Sequence, residues 1–379
     1  MLRLLQRRGT RLRTPGLATP IRSPTMTQSS AGSFFALSAL LAVATSAQAQ
    51  QRPWVTAEAR LERDDQVRTA LRATAEHGRY LGPDITLALT VSSDHVAGDA
   101  NGATSLETTV ASVGLAGTLA VPTARLGLTF AAGTLLGAPA GPQGGGTEWL
   151  ARATLRRDLG GGTALRMGAA RERYTATLAS LDTLVLSHTM EVALDRSGAP
   201  GWAWEVAGRR AGFGDDNPVT TAWAWVLAPL SRSMTHSLRA GYAFGWQDAE
   251  QSTWVASGVV PAGPFPQQVP GRYAPYYSPH DVVTHSVVLN GALAAGSGWI
   301  LAEGSVGARA TETAPLLVRA SAAAVPGLTF RERSFTPYRA RVSLVAPADD
   351  RTTITLAVGY DRTAYYRAGT VRLAVARSL

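Results

Sequence analysis

From residue 50 onward, apolar and polar residues alternate with a period of two along most of the chain. In residues 234–246 the even positions carry Met234, Leu238, Tyr242, Phe244 and Trp246, and the odd positions carry Thr235, Ser237, Arg239, Gly241 and Gly245. A period of two over a dozen residues predicts a β-strand with one apolar face. The same pattern recurs elsewhere. Ile85, Leu87, Leu89 and Val91 oppose Thr86, Ala88, Thr90 and Ser92, and Leu126, Leu128 and Phe130 oppose Arg125, Gly127 and Thr129. Near the end, Tyr338, Val342 and Leu344 oppose Arg339, Arg341 and Ser343, and Ile354, Leu356, Val358 and Tyr360 oppose Thr353, Thr355, Ala357 and Gly359.

Strand length and connection length decide between the architectures that alternate in this way. Strands of soluble sandwiches average about five or six residues, whereas tilted strands that cross a bilayer need about 9–11 residues plus their ends. The connections fall into two classes. Short ones are predicted at 121–124, 159–162, 197–200, 230–232, 295–298 and 347–350, and long ones at 95–105, 136–146 and, longest, 251–280. Short turns at one end and long loops at the other mark an outer-membrane barrel, whose strand number in a single bacterial chain is even. Sixteen or seventeen alternating segments are found. The predicted fold is therefore all-β, a transmembrane antiparallel up-and-down barrel of about sixteen strands. Residues 60–76 are the least regular pair and also fit a short periplasmic helix. Aromatics at 202–204, 223–225, 242–246 and 365–366 sit near strand ends, where interface girdles lie; an ordinary core role would use the same residues.

The chain has 379 residues with no Cys, and every basic residue is Arg. Disulfides, thiolate metal sites, cysteine nucleophiles and lysine chemistry are thereby excluded. The formal charge of +9 is concentrated at the start: residues 1–49 hold six Arg and no acid, so the remainder carries only +3. That remainder lacks the basic character of a nucleic-acid binder. Residues 33–45 are apolar and uncharged, and Ala47 and Ala49 follow, as at the end of a secretory signal. The expected organisation is an Arg-rich leader and signal peptide over 1–49, starting at Met1 or Met26, and a barrel over 50–379. A retained N-terminal anchor is the alternative. No apolar run after residue 50 is long enough for a spanning helix.

Three motifs carry a family likeness. They are residues 181–189 (Leu181, Asp182, Thr183, Leu184, Val185, Leu186, Ser187, His188, Thr189), residues 212–217 (Gly212, Phe213, Gly214, Asp215, Asp216, Asn217) and residues 276–280 (Tyr276, Tyr277, Ser278, Pro279, His280). In this order they resemble signatures of the C-terminal barrel of cellulose synthase operon protein C and of related exopolysaccharide-export porins. The resemblance implies an outer-membrane pore. The periplasmic tetratricopeptide array of those exporters has no counterpart here, and the chain ends on Leu379 where such barrels commonly end on an aromatic residue.

The predicted function is passage of solute, with exported polysaccharide as the finer reading, through a polar lumen. Arg125, Arg239, Arg339 and Arg341 lie opposite apolar neighbours, so a barrel turns them inward, because a lipid-facing Arg at mid-bilayer costs about 2–4 kcal/mol. They are the selectivity candidates, unless acids such as Glu191 and Glu205 neutralise lumenal Arg in structural ladders. Residues 251–280 are expected to fold inward as a constriction, with Tyr276, Tyr277, Ser278, Pro279, His280, Asp215, Asp216 and Asn217 at the rim. No cofactor, metal site or catalytic residue is assigned, and the chain is not expected to be an enzyme. Two alternatives are a rim enzyme using Asp215, Asp216, Ser278 and His280, and a closed barrel serving as an anchor or adhesin. Expected partners are outer-membrane lipid, the barrel-assembly machinery, and polysaccharide or small solutes, but not nucleic acid.

Overall fold

The computed structural model describes residues 52–379 apart from 65–67, 101–103, 138–146, 175–179, 181–183, 197–200, 258–262 and 366. The leader over 1–49, the turn at 197–200, most of the long connection at 136–146, and parts of the 181–189 motif and the 251–280 loop lie outside the described residues.

Among the described residues the strands are, in order, β1 (Trp54–Asp64), β2 (Thr69–Gly82), β3 (Ile85–Ala100), β4 (Thr104–Val121), β5 (Leu126–Leu136), β6 (Glu148–Gly160) and β7 (Thr163–Arg173). β8 (Leu186–Arg196), β9 (Ala203–Gly212), β10 (Val219–Arg232), β11 (His236–Ala249), β12 (Trp254–Ala256), β13 (Gln267–Val269) and β14 (Gly271–Tyr273) follow. The last six are β15 (Val282–Ala295), β16 (Gly298–Arg319), β17 (Gly327–Phe335), β18 (Tyr338–Asp349), β19 (Thr352–Arg362) and β20 (Arg367–Ser378). β12, β13 and β14 belong to one loop. β17 and β18 are two halves of a single wall strand, the first on the outer part of β16 and the second on its inner part. Sixteen antiparallel staves result. β1 pairs with β2 on one side and with β20 on the other, so the sheet closes on itself.

Period-two alternation sorts the residues between the two faces of this wall. On β8, Met190 is 73% exposed and Val192 50% exposed on the outside, while Ala193 and Asp195, of the opposite parity, are buried. On β19, Leu356 and Val358 face out, and Thr355, Ala357 and Asp361 are buried. The outward apolar residues form a belt around a closed ladder, the arrangement that lets strands lie in hydrocarbon without unpaired backbone groups.

Both described ends of the chain lie at one end of the barrel, where Trp54 pairs with Ser378. That end carries the tight turns, at 83–84, 161–162, 233–235, 296–297 and 350–351. The opposite end carries the connections at 174–185, 213–218, 250–281 and 320–326. The short turns mark the periplasmic end. The turn at 161–162 needs its glycines: Gly160, Gly161 and Gly162 all have positive φ, and the Asp158 carboxylate accepts a hydrogen bond from the Gly160 N–H at 2.8 Å.

Several expectations are corrected. Residues 95–105 are not a long loop, because β3 continues to Ala100 and β4 begins at Thr104. Residues 230–232 end β10 instead of forming a turn. Of the two readings of residues 60–76 the strand pair holds, since β1 and β2 pair antiparallel with Arg60 opposite Arg72. Arg125 is not a lumenal strand residue. It ends the 3₁₀ turn Pro122–Ala124 in the left-handed conformation (φ 52°) and is exposed at the periplasmic end, because Pro122 and the reversal interrupt the alternation before β5. Trp223 and Trp225 do not belong to the outer girdle either; both line the interior.

An arginine placed on the belt tests the assignment of faces. Val358→Arg is expected to lose about 2–4 kcal/mol in a urea unfolding titration of the protein in phospholipid vesicles, and Ser305→Arg, facing the interior, distinctly less.

Candidate functional site

The extracellular mouth is crossed by the end of the 250–281 loop. Tyr276 holds it on one side. Its ring stacks on Phe213 at 3.9 Å and 12°, its hydroxyl donates to Asp215, and the Asn217 side-chain amide donates to that hydroxyl at 3.0 Å. Asn217 also grips the start of the loop, donating to the Gln251 carbonyl at 2.9 Å and accepting from the Gln251 N–H at 2.8 Å. The Tyr277 N–H donates to the Tyr174 hydroxyl at 3.1 Å. Tyr174 follows β7, the seventh stave.

The other side is held by rings from half-way round the barrel. The Tyr277 ring meets Tyr273 at 4.8 Å and Tyr365 at 5.4 Å, and the Tyr273 hydroxyl donates to the Tyr365 hydroxyl at 3.2 Å. Tyr365 lies between β19 and β20, the fifteenth and sixteenth staves, with the Arg333 guanidinium 4.7 Å above its ring. Tyr277 thus contacts opposite sides of the wall through its backbone and its ring. The segment is a strap across the mouth.

Local chemistry shapes this strap. Trp254 lies over Gly271, where a Cβ would fall 2.1 Å from the indole nitrogen, so only glycine lets β12 and β14 approach this closely. The fully buried Ser278 hydroxyl accepts from the Thr253 N–H at 2.7 Å. The His280 carbonyl accepts from the Thr313 N–H on β16 at 3.0 Å, and its ring sits edge-on to Phe330. Burial pushes the phenols of Tyr273, Tyr276, Tyr277 and Tyr365 above their ordinary range, so they stay neutral donors. Burial also lowers the His280 imidazole, outweighing Asp248 and Asp281, which act to raise it.

Beneath the strap lies an interior cavity of about 290 Å³. Trp223, Trp225 and Leu227 project into it from β10, and the facing residues of β11, Ala243 and Gly245, are small enough to leave the space open. Tyr277 borders it from the strap, and Arg209, Glu303, Arg339 and Asp361 add charge. Most wall charges are paired. Arg339 reaches Asp361 at 2.6 Å and Arg341 reaches Glu303 at 3.6 Å. Arg166 lies 3.1 Å from Glu191 and 3.3 Å from Glu205, and the Trp223 indole donates to Glu205 at 2.6 Å. On β3 to β5 most of the inward residues are small instead, Asp94 with its partner Arg72 and the buried Leu135 excepted, and Ser92 is bonded to Ser112 and Thr86 to Thr118, each at 2.6 Å.

No protein-family model matches the chain, and no curated protein matches it. Solved structures do. A bacterial polysaccharide outer membrane secretin aligns over 87% of this chain and 99% of its own, with a TM-score of 0.59 at 7% identity. A mutant of the Rh. blastica porin covers 86% of this chain and 99% of its own, at 11% identity and a TM-score of 0.34. OmpT, an outer membrane protein of Vibrio cholerae, covers 86% and 96%, at 8% identity and a TM-score of 0.39. At these identities the likeness bears on the fold alone, and only the secretin superposes well enough to carry weight. A closed sixteen-stave ladder with an outward apolar belt completes the case. This chain is a bacterial outer-membrane β-barrel.

Within this barrel the three motifs of the family likeness converge. Val185 of the first packs in one cluster with Tyr174, Val219, Ala249 and Tyr276; Phe213, Asp215 and Asn217 of the second hold Tyr276 of the third. Pro279 is buried with Ser278, while Asp216 is an exposed turn residue with φ 56° and takes no part in the hold. Of the four selectivity candidates, Arg339 and Arg341 lie on the inward face with acid partners. Arg239 lies inward at the lower end of β11, opposite Asn290, and Arg125 lies in its periplasmic turn. The indoles of Trp223 and Trp225 escape sequence reading because their strand neighbours are Ala222, Ala224 and Val226, so neither face is polar. The available signal lies on the next strand, where Gly241, Ala243 and Gly245 leave room opposite them.

If the strap obstructs the mouth, deleting residues 271–279 raises single-channel conductance in planar lipid bilayers. Tyr276→Phe, which removes the bonds to Asp215 and Asn217 but keeps the ring stack, is expected to give an intermediate rise or more frequent openings.

Proposed function

We propose that this barrel is a non-catalytic outer-membrane pore whose passage is controlled at its extracellular mouth, and that exported polysaccharide is its cargo. The observation that carries this reading is the strapped cavity with two indoles on one wall and guanidinium–carboxylate pairs on the others. Flat aromatic faces take up the apolar faces of sugar rings, and planar charged groups hydrogen-bond their hydroxyls. The paired state of Arg339 and Arg341 argues for a wall of mixed charge, suited to a polar chain more than to steep anion selectivity. The Ser, Thr, Ala and Gly residues that dominate the inward face of β3 to β5, with Asp94 the one acid among them and paired to Arg72, supply a smoother opposite wall. The likeness to the polysaccharide secretin supports the same reading, as does the convergence of the three motifs that resemble exopolysaccharide-export porins.

A closed barrel acting as an anchor is the second reading, and the strap itself favours it, since one segment is bonded to both sides of the mouth. Conductance separates the two. A pore conducts in planar bilayers, at least once the strap is removed; an anchor does not conduct in either form. For the cargo, a neutral β-linked oligosaccharide added to the strap-deleted pore is expected to block current. Trp223→Ala combined with Trp225→Ala is expected to weaken that block about tenfold. Unchanged block in the double variant removes the saccharide reading and leaves the pore.

A further inference from the structure

Three arginines occupy outward positions of neighbouring strands where the apolar belt ends at the extracellular side; Arg63 and Arg367 are exposed, and Arg362 is half-buried and also borders the interior cavity. Along β19 the outward residues Ile354, Leu356, Val358 and Tyr360 are followed by Arg362. On β20, Arg367 precedes Gly369, Val371 and Leu373, and on β1, Leu61 is followed by Arg63. Arg362 and Arg367 are directly opposite each other in the β19–β20 ladder, and Arg63 pairs with Gly369, one outward step below Arg367. Directly opposed residues have Cβ atoms about 4.5–5.5 Å apart and diagonal ones about 7–8 Å, and like charges placed directly opposite destabilise a ladder.

The neighbouring acids do not relieve this repulsion. Asp361 turns inward to Arg339, and Glu62 and Asp64 are taken by Arg68. Among the described residues none of the three arginines forms an ion pair. Asp65, which lies outside the described residues, leaves an excess of two positive charges even if it is counted against them. Just below, Tyr338 stacks on Tyr360 at 5.5 Å and 14°, and the Arg362 guanidinium lies 5.6 Å from the Tyr338 ring. Guanidinium groups above aromatic rings, with Val358, Val371 and Leu61 exposed beneath them, present charge and greasy surface in the vertical order of a lipid headgroup and its chains.

We propose that Arg63, Arg362 and Arg367 bind the phosphate groups of an anionic lipid of the outer leaflet, whose acyl chains lie along Val358, Val371 and Leu61. The planar fork of each guanidinium suits phosphate oxygens, and one phosphate between Arg362 and Arg367 turns their repulsion into a bridge. The continuous apolar belt below commits the site to a lipid, not to free phosphate. The site is independent of what passes through the barrel.

Native mass spectrometry of the full chain in detergent, titrated with bisphosphorylated lipid A, tests this. The wild-type protein is expected to retain the lipid, and R362Q/R367Q to bind it about thirtyfold more weakly. Lipid A stripped of phosphate is not retained, and excess inorganic phosphate does not displace the phosphorylated form. R79Q, at the opposite edge of the belt on β2, keeps full retention. Heat-modifiable electrophoretic migration of each variant establishes that its barrel is folded. Equal retention by R362Q/R367Q, equal retention of dephosphorylated lipid A, or displacement by inorganic phosphate overturns the proposal.

Discussion

Hydrocarbon offers no partner to a backbone N–H or C=O, so every strand in it must find one on each side, and the rest of this molecule follows from that demand. Closure of β1 on β20 removes the last open edge. Once the ladder is closed, each side chain has only two directions available, toward acyl chains or toward the interior. The charges of the wall strands then have to collect inside or at the ends of the belt. This is why so many guanidinium groups meet carboxylates across the interior, as Arg166 meets Glu191 and Glu205, and Arg339 meets Asp361. It is also why the outward arginines Arg63, Arg362 and Arg367 appear only where the belt stops.

In the proposed pore, a closed wall with a crowded polar lining leaves the mouth as the place where passage is decided. The strap is built differently from the wall. Its strength comes from neutral rings and from hydrogen bonds to backbone groups that the strap itself leaves unpaired, such as the Tyr277 N–H taken by Tyr174 and the Gln251 carbonyl taken by Asn217. Such contacts tie the segment to the loops at Tyr174 and Asn217 through neutral groups, while on the far side the Tyr365 ring lies under the Arg333 guanidinium, which is paired with the buried Glu312 carboxylate. Below it, bulky indoles on β10 face small residues on β11, so the cavity is produced by a mismatch of side-chain size across adjacent staves.

Much of this was legible in the chain, and the failures share a cause. The facing of Ile85 to Ser92, of β11 and of Thr353 to Tyr360 could be read because one set of alternate residues was apolar and the other polar. Where both sets are apolar, as at Trp223 to Val226, the direction cannot be read, and the pattern leaves the indoles open between the outer girdle and the interior. Where a turn interrupted the alternation, as at Arg125, extrapolating the pattern put an exposed turn residue in the lumen. The rim residues Asp215, Asn217 and Tyr276 were recognised as belonging to the mouth, but nothing in their spacing says that they bond one another.

What the sequence by itself determined is the two-residue period, the length of the strands and the asymmetry of the connections. These are local properties, and together they specify a membrane-spanning sheet and its two faces. Only the tertiary structure decided the stagger of one stave against the next, and with it which residues stand opposite. Closing the ring set Tyr174 and Tyr365, 191 positions apart in the chain, at facing points of one mouth, and brought Arg362 against Arg367 on its outer edge. Register and closure are properties of the whole ladder, held by hydrogen bonds between distant backbone segments, and no single strand carries them.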